Sequence, residues 1–283
     1  MAESTTSQRY RIDIAYDGTD FAGWAKQPNL NTVAGSLLSA LEVVLGADAG
    51  DFGLRVAGRT DAGVHSSGQV AHIDVSQAQL NRAGRSGLTA RRLNDLLPST
   101  IRVKSLTAVS SQFDARFAAL QRSYRYRIAD RPECQLPQTA RQTLWHPKSL
   151  DEHKMQLAAQ LLIGLHDFAA FCKPREGATT IRELRSVKVE RDESLIINID
   201  ITADAFCHNM VRSLVGALIA VGEGRLSEAE LSEVLKGKIR SSRFKVVSPQ
   251  GLTLTAVNYP PEAEWKEQVS RARNRRDEEA NWV

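Results

Sequence analysis

The feature that most constrains this chain is an alternation of apolar and polar side chains that keeps returning. It runs through YRIDIAY (10–16), QVAHIDV (69–75), IRVKSLTAV (101–109), SYRYRIA (123–129), VKVERDESLIINIDITA (187–203) and LTLTAVNY (252–259). A period of two puts apolar side chains on one face of a strand, so each segment asks for a half-buried sheet. Helical patterns lie between them. Asn31 or Thr32 can cap a helix that carries Val33, Leu37, Leu41, Val44 and Leu45 on one face and ends at Gly46. Residues 53–57, GLRVA, read as a strand entering the turn GRTDAGVH (58–65). A helix over 88–96 is stopped by Pro98, and an amphipathic helix over 151–165 turns Met155, Ala158, Leu161, Leu162 and Leu165 inward. The long segment 187–203 folds back at the polar turn Arg191–Ser194. An apolar helix spans 206–221 up to Gly222, and Ser227 with Glu230 signs the start of a short helix to Leu235.

This order, strand-helix-strand twice in each half, predicts an α+β fold. We expect two ferredoxin-like α/β halves with mainly antiparallel sheets facing a central cleft. The expected boundaries are a disordered N-terminus over 1–8, an N-terminal domain over 9–114, a C-terminal domain over 115–260, and a polar charged tail over 261–283 that is helical or disordered.

Composition narrows the class. Charged residues make up 25% and hydrophobic residues 42% of the 283-residue chain, as in a water-soluble domain. No run approaches the ~18 apolar residues of a membrane span. MAESTTSQRY lacks a basic start followed by an apolar stretch, so a cytoplasmic location is expected. Cys134, Cys172 and Cys207 form no C-x-x-C, which argues against a zinc ribbon or a thioredoxin-type site. All three are expected to be reduced core residues.

The net charge is +4, but its distribution says more. Residues 9–260 carry 32 basic and 26 acidic side chains. Three stretches are basic and free of acid: 82–92, with Arg82, Arg85, Arg91 and Arg92; 116–127, with Arg116, Arg122, Arg125 and Arg127 among Phe117, Tyr124 and Tyr126; and KGKIRSSRFK (236–245), with Arg240 and Arg243. Such clusters are either solvated faces or a surface for a polyanion.

Two places can carry chemistry. In GRTDAGVH, Asp61 stands on a turn that glycines let approach a ligand closely, and Arg59 beside it can take a phosphate. On residue types alone the loop reads first as a charged turn and only second as a site. In FCHNMVR (206–212), Arg212 interrupts an apolar helix and must either reach water or meet an anion. Paired with a carboxylate, it would hold that carboxylate ionised and fit for nucleophilic work. A Ser-His-Asp hydrolase built on His65, Ser66 and Ser67 is disfavoured, because no G-x-S-x-G occurs. His65 and His208 read as structural residues.

Taken together, YDGTDFAGW (16–24), AGRTDAGVHSSGQVAH (57–72), LNDLLP (93–98), FDARFAALQRSYRYRI (113–128), DFAAFCK (167–173), FCHNMVRSLVG (206–216) and SPQGLTLTAVNY (248–259) resemble the TruA-type tRNA pseudouridine synthases from about Tyr10 to Tyr259. Ala25 departs from the Gln that often follows GW in that family, and the stretch 76–91 is longer than in many members. The resemblance implies the pseudouridine synthase fold and isomerisation of uridine at tRNA positions 38–40 in the anticodon stem-loop. It implies no cofactor and no metal, tRNA as partner, and a homodimer. It further implies Asp61 as nucleophile, Arg212 as its counter-ion, and Tyr124 stacked on the uracil and helping to remove the C5 proton. Arg59 would contact RNA, and Leu252 would pack on the base. Arg240 and Arg243 are expected on the RNA surface. The alternatives are a synthase with a different RNA target and a tRNA-binding module without catalysis; the presence of Asp61, Tyr124 and Arg212 argues against the latter.

Overall fold

The computed structural model describes residues 7–46, 52–175 and 179–273. The chain forms two compact units. One holds the residues up to Leu120 together with Leu254–Arg273, and the other holds Gln121–Thr253. The chain rejoins the first unit at Leu254. The expected N-terminal segment 1–8 lies outside the described residues except for Ser7 and Gln8, which already belong to a strand. Of the tail, the residues beyond 273 also lie outside them.

In the first unit the order is β1 (Ser7–Tyr16), α1 (Val33–Leu45), β2 (Arg55–Val56), β3 (His65–Ser76), α2 (Gln77–Arg82), α3 (Ala90–Asn94) and β4 (Ile101–Val109). β1 pairs antiparallel with both β3 and β4, and β2 pairs antiparallel with β3. The lateral order β4-β1-β3-β2 is that of a ferredoxin-like sheet. Alternation on β1 buries Ile12 and Ile14 completely, and Ile73 and Val75 of β3 join them. Helix α1 closes this core with Leu37, Leu41 and Leu45. Between the two candidate caps, the structure selects Thr32, whose side chain accepts the Gly35 N–H at 3.2 Å. Gly46 ends the helix at φ 95°, where a side chain would be strained.

In the second unit the order is β5 (Gln121–Ala129), β6 (Leu144–Trp145), α4 (Glu152–Gln160), β7 (Gly164–Asp167), β8 (Ile181–Arg191), β9 (Ile197–Ala203), α5 (Met210–Gly222) and α6 (Glu228–Gly237). Strands β5-β9-β8-β7 lie side by side, all antiparallel, and only the short β6 runs parallel to β5. Strand β10 (Leu252–Asn258) carries the chain from the second unit back to the first, where helix α7 (Trp265–Arg273) follows. The α+β, mainly antiparallel architecture read from the sequence is therefore observed. Helix α5 is apolar almost all round, with eleven of its thirteen residues buried. Helix α6 opens on the expected capping box of Ser227 and Glu230.

Three local expectations are corrected. Helix α4 stops at Gln160 rather than 165, because Gly164 takes φ 122° and starts strand β7; Leu161 and Leu165 are 42% and 39% exposed, not inward. Helix α5 begins at Met210, since Asn209 is left-handed at φ 66°. Cys172 and Cys207 are joined in a disulfide with Cα atoms 5.8 Å apart, while Cys134 is free and buried. The Lys173 N–H donates to the His208 carbonyl at 2.9 Å, so the two cysteine segments meet through the backbone as well. Their 35-residue separation hid that meeting from the sequence.

Candidate active site

The loop GRTDAGVH is held from several sides by β1 and the segment that follows it. Tyr16 and Thr60 hydroxyls hydrogen-bond at 2.8 Å. The Gln69 amide, fully buried, donates to the Tyr16 oxygen at 3.2 Å and to the Gly58 carbonyl at 2.8 Å. Both sides of Arg59 are thereby fixed. Burial pushes the Tyr16 phenol up to about 12, an effect its hydroxyl and amide partners only soften. The backbone adds Trp24 N–H to the Thr60 carbonyl at 3.1 Å, Gly63 N–H to Phe21 at 3.3 Å and Val64 N–H to Asp61 at 3.2 Å. Gly18 lies so close to the Val64 carbonyl that a Cβ there would overlap it. His65, 2% exposed, accepts the Gly18 N–H on Nδ1 at 3.1 Å. Asp17 Oδ1 stands 3.2 Å from the same ring nitrogen. Ser66 donates to the Leu254 carbonyl at 3.0 Å, a structural bond rather than a nucleophile's.

On this frame Asp61 is half-buried and Arg59 is exposed. Among the described residues Arg59 makes no hydrogen bond or ion pair, so its guanidinium is available to a phosphate. The clamp of Tyr16, Gly18, Thr60 and Gln69 was not read from the sequence. Its only signal was that YDGTDFAGW and GQVAH recur beside the loop in the motif set.

Tyr124, Arg212, Leu252, Arg240 and Arg243 lie in the second unit. Tyr124 sits on β5 opposite Ile201, is 8% exposed, and meets Phe206 edge-on at 5.2 Å between ring centroids. Two residues on, Tyr126 shares that face and donates its hydroxyl to the Ser248 carbonyl at 2.7 Å. Burial pushes the Tyr126 phenol up, and the nearby Arg212 charge works against that. Arg212, half-buried in the first turn of α5, donates Nε–H to the Val247 carbonyl at 2.7 Å. That bond fixes the orientation of the guanidinium. Gly216, one turn on, lies so close to the Lys245 carbonyl that a Cβ would overlap it, so this strip of backbone packs directly on α5. Leu252 is 4% exposed at the start of β10.

The basic clusters are unequal. In 116–127, Arg125 is held by Asp200 through two 2.8 Å bonds, and Arg122 donates to the Asp204 carbonyl at 2.7 Å. Arg116 lies over the Phe117 ring at 5.1 Å, with Arg273 of α7 over the same ring at 5.4 Å. In 236–245, Arg243 pairs with Glu230 at 3.2 Å, while Arg240 is exposed with no ion-pair partner among the described residues. Among the described residues no group of three His, Cys, Asp or Glu side chains could hold a metal, and no helix is long and apolar enough to cross a membrane.

The family model described as tRNA pseudouridine synthase matches residues 158–260. Relatives extend that match over the chain. The tRNA pseudouridine synthase A of Leifsonia xyli is 45% identical over 280 residues, covering 95% of this chain and 97% of its own. Those of Streptomyces griseus and Mycobacterium leprae are 46% and 47% identical, covering 94% and 92% of this chain and 93% of each of their own. The chain belongs to the tRNA pseudouridine synthase A family, and it is an isomerase.

Proposed function

We propose that this protein converts uridine to pseudouridine at positions 38–40 of the tRNA anticodon stem-loop, as a cytoplasmic homodimer. The observation that carries the reading is identity of about 45% to enzymes of that name along nearly the whole chain. The C1′–N1 bond breaks, the uracil turns, and a C1′–C5 bond forms. The proton lost from C5 is balanced by one gained at N1, so substrate and product have the same atoms and no redox partner is needed. Asp61 supplies the electron pair that makes a covalent intermediate possible. Arg212 keeps that carboxylate ionised. Tyr124 stacks on the base and assists loss of the C5 proton, and Leu252 packs on the same base. Arg59 holds a backbone phosphate beside the extruded nucleotide, whose unstacking costs a few kcal/mol. Arg240 and Arg243 add sequence-independent attraction.

The test is to map pseudouridines in unmodified total tRNA incubated with and without the protein. New pseudouridine at 38–40 is expected. Modification confined to other positions would overturn the target assignment, and none at all would overturn the activity.

A further inference from the structure

We propose that the segment from Gln77 to Asn94 is an RNA-docking arm whose exposed Arg82, Arg85 and Arg91 contact the phosphate backbone of the substrate. The proposal rests on the reading of this protein as a tRNA-modifying enzyme and adds to it a surface outside the Asp61 loop.

The first observation is charge. From residue 75 to residue 94 there is no Asp or Glu, and four arginines fall within eleven residues. Elsewhere in the described chain arginines are commonly paired: Arg9 with Asp74, Arg11 with Asp13, Arg125 with Asp200, and Arg191 with Asp130 and Glu152. Arg82, Arg85 and Arg91 are exposed and have no ion-pair partner among the described residues. Like charges this close along the chain, with no carboxylate paired to them among the described residues, attract a polyanion.

The second observation is that the segment is built, not loose. Ser76 and Gln79 form a complete capping box at the start of α2, with bonds of 2.8 and 3.3 Å. The fourth arginine is used internally: Arg92 donates to the Ala83 carbonyl at 2.8 Å and the Gly87 carbonyl at 2.6 Å, closing the loop across its neck. Gly84 at φ 66° and Gly87 at φ 59° make the two turns that flank Arg85. Ala83 and Leu93 are buried in the core of the first unit, and Leu80 and Leu88 pack against it. Apolar residues thus anchor the arm while three arginines stay in water. Arg82 also lies along Gly46 at the carbonyl end of α1, where a Cβ would come within 3.2 Å of its Cδ. A fixed scaffold lowers the ordering cost when these side chains meet phosphates. RNA is the occupant that fits, because it offers a regular row of phosphates and is read by backbone and shape.

The experiment uses the full chain with Arg82→Gln, Arg85→Gln and Arg91→Gln combined, beside the same three positions changed to Lys. Binding of unmodified tRNA is measured across a salt series, with thermal melting as a check on folding. The Gln variant is expected to melt like the parent and to bind tRNA about 10-fold or more weakly at moderate salt. Its log–log salt slope should be shallower by about 2 to 3, near 0.9 for each lost phosphate contact. The Lys variant should recover most of the slope. Its single-turnover pseudouridine formation at saturating tRNA should match the parent. A folded Gln variant with unchanged slope and affinity overturns the proposal, as does a Lys variant that recovers nothing. If the parent makes no pseudouridine, the functional reading fails, while the binding series still decides the arm.

Discussion

The loop 58–65 and the segment 236–245 are both short, polar and turn-rich, yet the protein treats them oppositely. The first is tied to buried partners: Gln69 and Thr60 through Tyr16, His65 through Gly18, and backbone bonds from Trp24, Gly63 and Val64. The second is anchored at its end, where Phe244 is buried against Phe171 and Lys245 packs on Gly216, but residues 236–240 are exposed, and the charged side chains Lys238 and Arg243 pair with Asp167 and Glu230 near the surface. The covalent step proposed for Asp61 needs one atom held to within a fraction of an ångström, and a buried polar network around the loop serves that. Attraction of a polyanion needs only positive charge nearby, and mobile side chains suffice for it.

If that contrast is right, the largest effect among changes to the residues that hold the loop comes from the smallest of them. Gly18→Ala forces a methyl into the Val64 carbonyl and must displace the loop. We expect at least a 100-fold fall in single-turnover rate with tRNA affinity nearly intact; a rate within threefold of the parent would show that the clamp is not needed. Tyr16→Phe is milder. It strips Thr60 and Gln69 of a shared buried partner, which costs about 1–3 kcal/mol in chemical denaturation. The turnover rate should fall about 10-fold with KM little changed, and an equal loss in both would place the fault in binding.

Acid tests the same unit through His72. Burial, with Arg9 nearby, lowers its imidazole to about 4, and Asp114 and Asp74 only partly oppose this. Its neutral Nδ1 accepts the Ala115 N–H at 2.9 Å. A depressed value means that the stability it contributes is present above the unfolded value of about 6.5 and is lost as pH falls toward about 4. Denaturation midpoints should therefore drop across that window, and His72→Gln should flatten this part of the curve. An unchanged slope in the variant would assign the acid sensitivity to other groups. The smallest effect is expected at the exposed segment. Arg240→Ala with Arg243→Ala should weaken tRNA binding severalfold and reduce the salt slope by about 1 to 2, with an unaltered rate at saturation. A lost rate at saturation would break the contrast between the two segments.

Most of the sheet was legible because alternation on β1, β3, β4, β5, β8 and β9 is a local signal; burial follows it on β1, while β3 is buried on both faces from Gln69 to Ile73. Leu161 and Leu165 misled because they continue the spacing of α4 past Gln160, and only the backbone of Gly164 shows where the helix must end. The pair α2 and α3 was half seen, since α2 buries none of its residues and so has no apolar stripe. Asp61 and Arg59 were legible from a contiguous motif. The bonds that hold them were not, because Tyr16 reaches Thr60 across 44 residues and Gln69 across 53. The same distance hid the disulfide of Cys172 with Cys207 and the Val247 carbonyl that orients Arg212.

The central claim is that Asp61 on its clamped loop makes the bond. Asp61→Ala should bind unmodified tRNA with an affinity within a few fold of the parent and form pseudouridine at least about 1,000-fold more slowly in single turnover. Pseudouridine formation near the parent rate by the folded variant would contradict the account.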